Sequence, residues 1–170
     1  MGARLPSVLV DMNAFFQDQS FAGLCNTLTL PKIVTKTMDA MMSGTAGEVE
    51  RDLGRLEKME AEVTISDYPD KVTDLIGSRA SRDEVFTIRG AIDRDGVLKT
   101  VIVKMQGFWK SLEFNEWKPE SEATEKFGIA VEFFSFEVDG KERIYVDKLN
   151  NIFRVNGKDR NKEIRQALGQ

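Results

Sequence analysis

A mainly β subunit, a sandwich or barrel with one short flanking helix and a C-terminal helix, is the fold this sequence predicts. Three observations carry that prediction. In residues 126–138, Phe127, Ile129, Val131 and Phe133 fall two apart and so share one face of a strand. After Phe133 the apolar phase slips to Phe134, Phe136 and Val138, as a bulge produces or as happens when a strand passes from one packed layer to another. Asp139-Gly140 then closes a two-residue hairpin onto residues 141–147, because both residues tolerate the positive φ of a type I′ turn. The third observation is the series of short alternating runs along the rest of the chain, broken by helical spacing at only two places. A long strand with two apolar faces needs cover on both sides, from its own chain or from neighbouring copies.

Residues 8–16 crowd apolar side chains without helical spacing, and Gln17-Asp18-Gln19-Ser20 breaks the run before Phe21, which predicts a hairpin. Residues 26–30 alternate, and Pro31 marks a strand end or edge because it cannot donate to a ladder. Residues 32–37 resume as a strand. Residues 38–47 differ in kind: Gly, Ser and Ala oppose regular structure, while Met38, Met41 and Met42 supply flexible apolar surface. An adaptable loop is predicted there, with its methionines either tucked onto their own core or carried to another surface.

Residues 48–55 and 57–66 both alternate, the second with Met59, Ala61, Val63 and Ile65 on its inner face. Glu48, Glu50 and Asp52 share the outer face of the first run, and Glu60, Glu62 and Thr64 that of the second. Pairing the two as a hairpin around Gly54 sets like charges close together, where they repel. Such a face is either solvated and inert or a wall that turns polyanions away.

Residues 69–78 place Val72, Leu75 and Ile76 at helical spacing, with Pro69 at the start and Gly77 near the stop. Two more strands, 84–92 and 97–106, are joined through Asp93-Arg94-Asp95-Gly96. This is a plain turn rather than a calcium loop, because the carboxylate expected at the loop's end and the flanking helices are missing. Phe108-Trp109 and Trp117 bracket a polar connection running to about residue 125, both tryptophans serving as core or interface packing. Residues 149–155 carry a last strand, Asn156-Gly157 a turn, and residues 158–168 the C-terminal helix, capped by Asp159 and stopped by Gly169.

At 170 residues the chain forms one domain, 1–170, with enough length for a real core. Its 28 acidic and 24 basic residues leave a net charge of −4, which offers DNA no basic field to grip. The absence of His and the single Cys25 remove the commonest general base and any internal disulfide, so no catalytic, cofactor or metal site is expected. No apolar run has membrane-spanning length and no basic, apolar leader is present, so a soluble chain made in the cytoplasm is expected.

Several short motifs stand in order over nearly the whole chain: Ser20-Phe21-Ala22-Gly23 followed by residues 27–32, Val138-Asp139-Gly140-Lys141-Glu142, Asp147, Asn150, residues 155–159, and a final helix ending in Leu168-Gly169. Together they resemble the major tail tube proteins of contractile-tailed bacteriophages, to which the tubes of R-type bacteriocins and related contractile injection systems are similar. The resemblance implies hexameric rings, with sheets continued between subunits, stacked into a hollow tube inside a contractile sheath. It implies a virion component assembled in the host bacterial cytoplasm. Its partners are then sister copies, the tail sheath protein, a tape-measure protein, and baseplate and tail terminator proteins, with double-stranded DNA passing through the lumen without specific binding. On this reading Glu48, Glu50, Asp52, Glu60 and Glu62 are lumen-facing candidates. Met38, Met41, Met42, Ser43, Gly44 and Thr45 are candidates for contact with a neighbouring subunit or ring.

Three other readings compete. The tube of a headless, bacteriocin-like particle uses the same subunit logic. A glycosidase could use Glu60 and Glu62, which on one strand face lie about 6–7 Å apart, but no apolar pocket to raise one pKa is evident. A monomeric β module that stacks bases on aromatic side chains lacks the positive groove such binding needs.

Overall fold

The computed structural model describes residues 2–170. In chain order the strands are β1 (Val8–Phe16), β2 (Gln19–Ser20), β3 (Cys25–Thr29), β4 (Thr35–Met41), β5 (Glu48–Leu56) and β6 (Met59–Ser66). After the short helix α1 (Asp70–Thr73) come β7 (Phe86–Arg94), β8 (Val97–Phe114), β9 (Thr124–Val138), β10 (Lys141–Asp147), β11 (Ile152–Val155) and β12 (Lys158–Asp159), then helix α2 (Lys162–Leu168). Ten strands form one sheet in the order β12-β11-β10-β9-β8-β7-β1-β2, with β6 also on β9 and β3 on β6; β4 and β5 form a separate two-stranded sheet.

Strand β9 organises this sheet. Residues Thr124 to Val131 pair with β6, whereas Phe133 to Val138 pair with β10. β8 runs along its other edge throughout, and the register slips between Gln106 and Gly107, opposite the unpaired Glu132. The phase change expected after Phe133 thus falls just before it, at Glu132, so Phe133 stands on the opposite face from Val131 and is only half-buried. The slip turns β9 from one partner strand to the other, and Phe134 accordingly becomes buried. Gly107 sits at the crossing, where an added Cβ would lie 2.1 Å from the Ala130 carbonyl oxygen. The two halves share one core of Phe16, Phe86, Trp109, Phe127, Ile129 and the inward side chains of β6, with Trp109 edge-on to Phe86 (5.8 Å) and Phe127 (5.2 Å).

The turns follow their residues. Asp139-Gly140, Asp95-Gly96, Gln17-Asp18 and Asn156-Gly157 all adopt positive φ, and each closes a hairpin. Met59, Ala61, Val63 and Ile65 are fully buried as the alternation predicts, and α1 buries Val72.

Elsewhere the structure departs from expectation. Strand β4 starts at Thr35 and continues through Met41, so only residues 42–47 of the expected loop 38–47 form a connection. Gly44 and Gly47 confine the break to that tip, and a ladder with β5 supplies the hydrogen bonds that composition alone does not promise. The expected hairpin of residues 48–55 with 57–66 around Gly54 does not form. Both edges of β6 are taken, by β3 and β9, so β5 folds back on β4 instead. Gly54 (φ 67°) lies in an irregularity inside β5, its N–H held by Asp52 Oδ1 at 2.8 Å.

β8 runs on to Phe114 and takes Trp109 into the core, while Trp117 lies in the following loop, 81% exposed. The C-terminal helix occupies Lys162–Leu168 rather than 158–168, because Lys158 and Asp159 pair with β11. Asp159 therefore does not cap the helix directly: it accepts from the Asn161 N–H (3.0 Å) and binds Arg165, whose guanidinium holds the Asp159 carboxyl below the usual range. Gly169 (φ 74°) ends the helix as expected. α2 rests on the root of the hairpin, its Ile164 side chain filling the space a Cβ on Gly54 would need.

One buried charge-bearing group stands out. Glu125, 1% exposed, accepts from the Thr73 hydroxyl at 3.3 Å through one oxygen and has no partner for the other. Burial pushes its pKa up, the Thr73 hydrogen bond opposing. Both folded and unfolded chains hold the proton below the ordinary glutamate value. Above it the unfolded chain releases the proton first, so folding is penalised as pH rises towards the folded pKa and evenly beyond it. Glu125→Gln is thus expected to raise the melting temperature at pH 7 and to change nothing at about pH 4, near the ordinary glutamate pKa; thermal unfolding at the two pH values reads the difference.

Candidate functional site

The sheet of β4 and β5 is the part of the molecule least satisfied by its own chain. Its register pairs Thr37 with Asp52, Asp39 with Glu50 and Met41 with Glu48, and these six side chains share one face. That face bears four carboxylates and no cation. The opposite face pairs Lys36 with Arg55, Met38 with Arg51 and Ala40 with Val49: three cations, three apolar groups and no acid. Apart from Ala40 these side chains are exposed, with Met38, Met41, Met42, Val49 and Leu53 prominent among the large apolar groups open to solvent. An isolated two-stranded hairpin is marginal in water at best, so it stands here through its root. There the Glu57 N–H donates to the Val34 carbonyl (2.8 Å), Lys148 Nζ donates to the Glu57 carbonyl (2.8 Å), and Ile164 packs at Gly54.

The expected acidic stripe is therefore divided. Glu48, Glu50 and Asp52 lie together on the hairpin and are joined by Asp39, which the sequence reading missed because it assigned residues 38–47 to a loop. The alternation of Thr35, Thr37, Asp39 and Met41 was the available signal. Glu60 and Glu62 lie on β6, in the other sheet, and each bonds a lysine: Glu60 reaches over β9 to Lys110 of β8, and Glu62 bonds Lys126, diagonally placed on β9, at 3.0 Å. Lys110 holds the Glu60 carboxyl below the ordinary range. A glycosidase acid needs the opposite shift, so this pair has the chemistry of surface ion pairs. Among the described residues no cluster of His, Cys, Asp and Glu could hold a metal ion, and no helix is long and apolar enough to cross a membrane.

At the tip, the Thr45 hydroxyl donates to the Met42 carbonyl (2.7 Å) and Gly44 takes φ 82°, which gives Met42, Ser43, Gly44 and Thr45 a defined turn. Among the described residues no strand lies beside the outer edge of β1 from Val8 to Asn13, and Val8, Leu9 and Val10 are exposed there. Open edges and bare apolar side chains of this kind are features that assembly conceals.

The family model for phage tail tube protein FII matches residues 6–169. This chain belongs to the phage tail tube protein FII family. It is 30% identical over 169 residues to the tail tube protein of Escherichia phage P2, covering 97% of this chain and 98% of that one. Solved structures share the fold at lower identity. The sheath/tube terminator of the extracellular contractile injection system PVC, in its extended state, superposes with a TM-score of 0.57 at 13% identity, covering 80% of this chain and 99% of that one. A chain of the PVC sheath-tube complex gives 0.56 at 15%, covering 78% and 91%. The tube-terminating cap of the anti-feeding prophage gives 0.59 at 11%, covering 81% and 94%. As a tail tube protein of contractile tail systems, the chain is a structural part of the tail, and the β-rich architecture expected of such a subunit is the one observed.

Proposed function

We propose that the tail tube protein assembles into hexameric rings that stack into the hollow inner tube of a contractile tail, with no catalytic step of its own. The observation that carries this reading is the β4–β5 hairpin, a two-stranded sheet with both faces in water that only a neighbouring copy would complete. The free edge of β1 and the exposed Met-rich tip support it. Met38, Met41, Met42, Ser43, Gly44 and Thr45 then belong to contacts between copies. A sheath outside, a tape-measure protein inside during assembly, and terminator and baseplate proteins at the ends are the partners such a tube takes, assembled in the host cytoplasm. The 30% identity to a phage protein over nearly the full chain supports the reading as a DNA-carrying virion.

In this assembly the acidic face of the hairpin, Glu48, Glu50 and Asp52 with Asp39, lines the lumen, where like charge keeps the passing duplex from sticking. Glu60 and Glu62 contribute less to that field, because Lys110 and Lys126 neutralise them.

Negative-stain microscopy of the purified protein at rising concentration is expected to show rings and then tubes; a strictly monomeric sedimentation profile at every concentration would overturn the assembly reading. The lumen assignment has its own test. Tubes carrying Glu48→Lys, Glu50→Lys and Asp52→Lys together should retain short duplex DNA at low salt and release it as salt rises, whereas the unaltered tubes retain none. If the reversed tubes assemble and retain no DNA, the acidic face lies elsewhere.

A further inference from the structure

The second face of the hairpin finds its complement elsewhere on the same molecule. Beyond β8, Trp117 projects from the loop that leads to β9, its indole N–H donating to the Tyr68 hydroxyl at 3.2 Å, and Tyr68 stands edge-on to Phe114 at 6.0 Å. Trp117 and Phe114 are both exposed, and a shallow depression lined by Tyr68, Trp117, Pro119 and Glu122 opens beside them. The segments that carry this patch, residues 66–71 and 114–123, bear Asp67, Asp70, Glu116, Glu120 and Glu122 against Lys71 and Lys118, a net charge of −3. The hairpin face of Lys36, Arg51 and Arg55 with Met38, Ala40 and Val49 bears +3.

The two surfaces are opposite in sign and equal in net charge, each has an apolar centre, and they do not meet within one subunit. Along β9 the patch lies at Thr124 and the hairpin root beside Val131, about 24 Å apart at the usual strand rise. We propose that the basic, methionine-bearing face of the β4–β5 hairpin of one copy docks on the Trp117–Tyr68–Phe114 patch of a neighbouring copy. This rests on the ring-and-tube reading and gives it a register. Trp117 is the anchor: a rigid aromatic group covered by Met38 and Val49, with Arg51 and Arg55 meeting the carboxylates around it. The acidic hairpin face is thereby turned away from the neighbour, which is the orientation the lumen assignment requires.

The unaltered protein supplies the first test, since Trp109 is buried and Trp117 alone is open to a quencher. Acrylamide quenching of tryptophan emission should fall severalfold when subunits become tubes. Quenching unchanged in well-formed tubes, or lost only after sheath protein is added, overturns the proposal and leaves the tube reading intact. An unaltered chain that never leaves the monomer overturns both. Trp117→Ala should raise the concentration needed for tube formation at least about tenfold. Arg51→Glu should do likewise and be rescued by Glu116→Arg or Glu122→Arg in the same chain; tubes forming at the normal concentration from either single variant count against the contact. A chain with Met38→Cys and Pro119→Cys, which keeps Trp117 in place, should give a ladder of disulfide-linked multimers on mild oxidation. Cys25 stays out of this reaction, being buried with its thiol pushed up to about 11.

Discussion

Trp109→Ala is expected to destabilise the subunit by about 3–5 kcal/mol, the range for deleting a fully buried large aromatic side chain. Trp109 is 1% exposed and touches both halves of the sheet through its edge-on contacts with Phe86 and Phe127. Its loss therefore removes the transfer energy of one side chain, leaves a cavity, and breaks two aromatic pairs worth about 0.5–1.5 kcal/mol each. For a domain of this size the melting temperature should drop by roughly 6–20 °C at 2–4 °C per kcal/mol. The measurement belongs below the concentration at which tubes form, because assembly stabilises the folded subunit by mass action. Trp117→Ala serves as the control: with its side chain in water it should shift subunit stability by no more than about 0.5 kcal/mol. Equal destabilisation by the two variants would contradict the placement of Trp109.

Gly107→Ala is expected to cost about 3 kcal/mol, at the upper end for overpacking. The added methyl would lie 2.1 Å from the Ala130 carbonyl oxygen and 2.9 Å from both the Ala130 carbonyl carbon and the Val131 Cα. These are backbone atoms of the paired strand, so no side-chain rotation relieves the clash and the β8–β9 crossing itself must open. Gly128 offers an informative comparison, since its added Cβ would meet chiefly the Ser111 hydroxyl, the end of a side chain. Gly107→Ala should therefore be the more damaging of the two in chemical denaturation. It should also disturb tube formation, because the crossing sets the angle between the half of the sheet carrying β6 and the half carrying β10.

Together these variants separate what builds the subunit from what joins subunits. Trp109 and Gly107 act on the core and its bend. Trp117, Arg51 and the hairpin carboxylates lie in water in the single chain, so their substitutions are read in assembly and DNA retention rather than in melting temperature. Glu62 with Lys126 shows why exposure matters to such readings. Their ion pair at 3.0 Å is half in solvent, and pairs of that kind contribute little to stability.

The sequence by itself determined the β class, most of the strands and the turns between them. Period-two alternation, positive-φ turn residues and proline positions act within a few residues of one another, so they are legible locally. That β9 changes its buried face was legible for the same reason, since a strand must record such a change in its own side chains, although the slip falls at Glu132 rather than after Phe133. Only the tertiary structure decided which strand pairs with which. β5 and β6 both alternate, but nothing in β5 states that β6 already has β3 on one edge and β9 on the other, and so the acidic residues expected to stand together were divided between two sheets. The two tryptophans make the same point: eight positions apart in similar surroundings, one fills the core and the other stands in water, because strand β8 ends between them.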